Sequence, residues 1–134
     1  TNELLMGFSR RGIGIRCAFA VGGDRVVGTS LRDALEHAET SSDVTAIAMF
    51  AEPGHPVLGT LASGEYTVKK PLAILMPGDV LDTLPKGTAY GHTGTVLGED
   101  DHTVPEMRAA IRERGYICTG SLQEMFEACE NFEK

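Results

Sequence analysis

At 134 residues, with 42% hydrophobic and 23% charged residues, the chain is sized and composed for one folded domain, 1–134, and wholesale disorder is excluded. A net charge of −7 with scattered basic residues leaves no footprint for a nucleic-acid backbone, and 6% aromatics without tryptophan leave no platform for stacked bases. No apolar run approaches ~18 residues and no charged-then-apolar leader opens the sequence, so no membrane partner and a cytoplasmic location are expected.

Residues 1–11 place Leu4, Leu5 and Phe8 on one helical face, with Thr1 able to cap and Gly12 able to stop. The apolar run "GIRCAFAVGG" (14–23) predicts a buried strand ending in a loop. Leu31, Ala34, Leu35 and Ala38 recur at helical spacing behind Thr29 and Ser30, both candidate caps. "DVTAIAMFAE" (43–52) is a second continuous apolar run, stopped by Pro53-Gly54. The Gly, Pro and Ser content of 53–69 makes helix a poor reading there, although a doubly wound fold would place a crossover helix in it. "LAILMPGD" predicts a third buried strand. Thr103 and Glu106 form a capping box before Met107, Ala110 and Ile111, "YICTG" a short fourth strand, and Ser121 with Glu124 a second capping box. On the helix that follows, Leu122, Met125, Phe126 and Cys129 share one stripe. Strands apolar throughout, alternating with helices, mark a parallel sheet covered on both faces. Function is then sought in the glycine-bearing loops at the strands' carboxyl ends.

The odd set Cys17, Cys118 and Cys129 sits in apolar stretches and reads as buried thiols of a reducing compartment, with no disulfide framework. No nucleophile elbow, Walker loop or dinucleotide fingerprint is present. The stretch "AYGHTGTVLGED" (89–100) raises the chemical question. His92 there is a solvent-facing loop residue, a metal ligand or a covalent catalyst. Gly91 and Gly94 allow backbone N–H groups to approach a ligand, and Thr93 and Thr95 add hydroxyl donors, an arrangement that holds phosphate oxygens. The spacings of His37, His55, His92 and His102 match no zinc motif, and Glu99, Asp100 and Asp101 suit a solvated acidic cap, so no metal site is expected. Glu52 ends an apolar strand before a Pro-Gly turn. It is either a solvent-facing strand end or the acidic partner that orients an imidazole.

Three blocks in order resemble the carboxy-terminal (ligase-CoA) domain of the succinyl-CoA synthetase α subunit and the related NDP-forming acyl-CoA synthetases. "GIGIRCAFAVGGDRVVGTSLRDALE" (12–36) is similar to that family's strand, Gly-Gly-Asp loop and following helix. "DVTAIAMFAEPG" (43–54) is similar to the strand ending in its catalytic glutamate, and "LPKGTAYGHTGTVLG" (84–98) to the loop bearing its phosphorylated histidine. The resemblance covers about 110 residues. It implies a flavodoxin-like three-layer α/β sandwich with strand order 2-1-3-4-5, here without the family's first, central strand, since Thr1 falls about where the helix after that strand begins.

It further implies that His92 and Glu52 are catalytic, that Gly91, Thr93 and Gly94 bind phosphate, and that phosphoryl passes between acyl phosphate and nucleotide. No tightly bound cofactor is implied. CoA, phosphate and ATP or GTP with Mg are substrates met through a CoA-binding Rossmann domain and an ATP-grasp subunit or domain. These do not fit in 134 residues, so the chain is expected to act as part of a larger acid–CoA ligase and in an oligomer. The other reading, of a different class, is a non-catalytic flavodoxin-like module for assembly or anion binding.

Overall fold

The computed structural model describes residues 1–85, 87, 91 and 102–132. Along the chain run α1 (Asn2–Arg10), α2 (Leu31–Thr40), β1 (Ile47–Phe50), α3 (Pro56–Ser63), β2 (Leu72–Leu75), a 3-10 turn (Asp79–Thr83), α4 (Val104–Glu113), β3 (Ile117–Thr119) and α5 (Leu122–Cys129). The three strands form one parallel sheet in the order β1-β2-β3, with Ile47 opposite Leu72 and Ala73 opposite Ile117. This is a small α/β sandwich of the flavodoxin-like kind. Successive side chains of a strand face opposite ways, and β2 is buried throughout. Leu72, Ile74 and Met76 meet Leu35 of α2, Leu58 and Leu61 of α3 and Ile111 of α4. Ala73 and Leu75 meet Phe8 of α1 and Met125, Phe126 and Cys129 of α5. Each large aliphatic side chain sealed in these layers stabilises the fold by about 1.5–3 kcal/mol relative to exposure.

Capping follows the sequence closely. Ser30 Oγ accepts from Asp33 N while the Asp33 carboxylate accepts from Ser30 N at 2.8 Å, and Thr103 with Glu106 repeats the reciprocal pair. At α5 the box is only half formed. Ser121 Oγ accepts from Glu124 N, but the Glu124 carboxylate accepts from Gly120 N, at 3.0 Å.

Three expectations are overturned. A helix, α3, does form in 53–69. Pro56 opens it, where a missing N–H costs nothing, and Gly64 closes it in the left-handed conformation at φ 80°. Its apolar content is small in number but well placed, since Val57, Leu58 and Leu61 are all buried. The second concerns 14–23, which is extended but is not a strand. Between it and β1 lies a cleft of about 590 Å³, lined among others by Phe8, Ile15, Phe19, Leu31, Ala48 and Phe50. A strand exists only by pairing with a neighbour, and hydrogen-bonded strands lie about 4.8 Å apart. The segment is instead held by side chains: Arg16 Nε donates to Asp43 Oδ2 at 3.0 Å and the Phe19 ring meets His37 edge-on.

Cys17 lies on this segment and is exposed, against expectation, whereas Cys118 and Cys129 are buried as expected. Burial pushes the latter two thiols up to about 11. Iodoacetamide at pH 8 should therefore alkylate Cys17 alone in the folded chain and all three thiols after denaturation, read by intact mass. Two additions to the native chain would contradict the described packing.

Candidate functional site

β1 ends at Phe50, Ala51 N still donates to Leu75 O at 3.1 Å, and the chain then turns out of the sheet as His55 N donates to Glu52 O. Glu52 is thereby set half-buried at the carboxyl edge, the edge where ligands gather in open α/β sheets. Gly91 lies against it, although 39 residues separate them. A Cβ added at Gly91 would overlap the Glu52 carboxylate, with Cδ only 2.8 Å away. The fold thus brings together two of the residues singled out from the sequence. His92, Thr93 and Gly94 lie outside the described residues.

Replacing Gly91 with alanine is expected to displace this carboxylate and to destabilise the chain by about 1–3 kcal/mol, the usual cost of overpacking. Shortening Glu52 to aspartate in the same chain should recover more than half of the lost melting temperature. No recovery would mean that Gly91 does not rest on Glu52.

Beside the strand ends, a hollow of about 390 Å³ opens among Thr1, Phe50, Leu75, Pro77, Gly120 and Leu122, with Glu3 also on its wall. Thr1 and Leu122 place it at the first turns of α1 and α5, where backbone N–H groups without helical partners carry partial positive charge.

The remaining histidines of the described chain have other surroundings. His55 Nδ1 accepts from Val57 N at 3.3 Å, which makes it the cap of α3. His37 meets Phe19 edge-on, and His102 is exposed at the start of α4's cap. Among the described residues, no group of three or more His, Cys, Asp or Glu is placed to hold a metal ion.

Arg108 was not singled out from the sequence. It is 9% exposed on the inner face of α4. Its Nε donates to Met76 O at 2.8 Å, and its two terminal nitrogens each donate to an Asp79 carboxylate oxygen at 2.7 Å. The guanidinium holds the Asp79 carboxyl below its ordinary range. The one available signal was positional, since Arg108 falls on the stripe otherwise occupied by Val104 and Ile111.

No protein-family model matches the chain. The ADP-forming sulfoacetate-CoA ligase subunit SauD of Bilophila wadsworthia is 30% identical over 119 residues, 86% of this chain and 39% of that protein. The α 1 subunit of the ADP-forming succinate–CoA ligase of Archaeoglobus fulgidus is 25% identical over 115 residues, 86% of this chain and 38% of that subunit. The solved ATP citrate lyase of Methanosaeta concilii, a D541A mutant in complex with (3S)-citryl-CoA, superimposes with a TM-score of 0.79 at 25% identity, over 98% of this chain and 22% of its own. The chain's homologues are thus CoA-ligase subunits and ATP-citrate lyase, and it fits the carboxy-terminal CoA-ligase domain family. The chain spans between about an eighth and two-fifths of the length of the curated relatives it matches.

Proposed function

We propose that the chain is the phosphohistidine-bearing domain of an NDP-forming acyl-CoA synthetase of the succinyl-CoA synthetase kind. The observation that carries this reading is the seating of the Glu52 carboxylate on Gly91, the residue next to His92. In the nucleotide-forming direction, a neutral ring nitrogen of His92 attacks the phosphorus of an acyl phosphate. A P–N bond forms, the acyl P–O bond breaks, and the acid leaves as its carboxylate. A nucleoside diphosphate oxygen then attacks the phosphohistidine, forming a P–O bond as the P–N bond breaks and the imidazole is released.

Glu52 accepts from the other ring nitrogen, fixes the tautomer and offsets the positive charge of the phosphorylated ring. Gly91, Thr93 and Gly94 offer N–H and hydroxyl donors to the phosphoryl oxygens, and the first turns of α1 and α5 add to them. Such donors matter on a chain of net charge −7, whose field otherwise repels a dianion. CoA binds on a Rossmann partner, and the Mg–nucleotide on an ATP-grasp partner, in a cytoplasmic oligomer.

The chain, mixed with an ATP-grasp partner subunit and γ-labelled ATP or GTP, should acquire phosphate that is acid-labile, alkali-stable and mapped to His92 by mass spectrometry. A stable complex with such partners that never takes label would instead establish the non-catalytic assembly module.

A further inference from the structure

The stretch of sequence 84–103, which carries His92, is flanked by described residues that lie together. Its near end is the 3-10 turn Asp79–Thr83 and its far end the cap of α4. Two contacts join these ends. Val104 N, in the first turn of α4, donates to both Asp82 carboxylate oxygens at 3.2 Å. One turn further along α4, Arg108 grips Asp79 with both terminal nitrogens and the Met76 carbonyl with Nε.

The same guanidinium touches the end of β3, since a Cβ on Gly120 would lie 3.0 Å from its Cζ. The turn it grips also abuts the end of β1, where a Cβ on Gly78 would lie 3.0 Å from Pro53 Cγ, one residue beyond Glu52. Arg108 therefore ties the exit of β2 to the turn that precedes the His92 stretch and touches the end of β3. All three of its nitrogens are used, in a geometry that only a planar fork supplies.

We infer that Arg108 is a positioning residue, and that its clamp on Met76 and Asp79 sets the register in which the His92 segment meets Glu52. The inference rests on the proposed pairing of His92 with Glu52 and adds to it the device that holds the two together. A purely structural arginine would alter stability and leave the environment of the imidazole unchanged. A positioning arginine changes that environment in a chain that is still folded.

The test is the titration of His92, followed by NMR of the imidazole nitrogens in the full chain, with melting temperature recorded in parallel. Three variants are compared with the native chain: Glu52→Gln, Arg108→Lys and Asp79→Asn. Lysine keeps the charge but not the fork. Asparagine at the exposed Asp79 position weakens the clamp from the solvent side and serves if the lysine variant fails to fold. A neighbouring carboxylate raises an imidazole's affinity for protons, so Glu52→Gln is expected to lower the His92 midpoint by about one pH unit. The expected result for Arg108→Lys and Asp79→Asn is a fall of at least half that size in folded protein. A fall with Glu52→Gln, but none with either clamp variant, overturns the role of Arg108 and leaves the histidine–glutamate reading standing. No fall with Glu52→Gln overturns that reading and the clamp's purpose with it.

Discussion

Replacing His92 with asparagine is expected to reduce phosphate incorporation to background under conditions that label the native chain fully. Asparagine keeps a polar group of similar reach, but its amide nitrogen is not a nucleophile at neutral pH, so no P–N bond can form. Because His92 lies in sequence between Gly91 and Thr93 in a polar, glycine-rich stretch, the substitution should leave stability within about 0.5 kcal/mol of native, the usual range for such sites, as read by thermal melting. Loss of label with an unchanged melt assigns the phosphate to His92. Label retained at the native level places the acceptor elsewhere and removes the basis of the proposed relay.

Glu52→Gln should have the next largest effect. Glutamine keeps the size of the side chain and one acceptor oxygen, but it removes the charge that accompanies the phosphorylated, positively charged ring. Loss of an acidic partner that fixes an imidazole's tautomer costs catalytic histidines about 100-fold or more. The labelling rate at saturating nucleotide should therefore fall by about that factor, while final stoichiometry is approached slowly. The loss should appear in the rate constant and not in the nucleotide concentration needed for half-maximal rate, since Glu52 is assigned to the ring and not to the nucleotide. A variant labelling within threefold of native would show that the carboxylate at the end of β1 has no part in the transfer.

Much of the fold was legible because it is written in local chemistry. Ser30, and Thr103 with Glu106, announce helix starts through the same oxygens that accept the first amides in the structure. The continuous apolar run around Ile74 announces a strand buried on both faces. Helix α3 was not legible from composition, because Pro56 and Gly64 are helix breakers by count yet helix terminators by position. The reading of 14–23 as a strand failed for a different reason. Its apolar pattern is that of a strand, but pairing is a property of the neighbour, and a cleft stands where that neighbour would be. The same cleft explains why Cys17 is exposed amid apolar residues.

At the site, Glu52 could be singled out because a carboxylate closing an apolar strand is conspicuous. Arg108 could not, because helical periodicity alone reads an arginine as a solvated face. Only the fold shows Met76 O and Asp79 waiting for it.

The parallel ladder gives β1 a further property. Ile47 and Ala51 donate their amides towards β2, to Pro71 O and Leu75 O, so with a two-residue repeat the amides of Ala46, Ala48 and Phe50 point the other way, into the cleft. Two classes of amide thus alternate along four residues of one strand. Deuterium should replace the cleft-facing set without any opening of the sheet, while their immediate neighbours wait for the sheet to separate. Protection along β1 should accordingly rise and fall with every residue, and whatever polypeptide comes to lie in the cleft would be registered, amide by amide, as the flattening of that alternation.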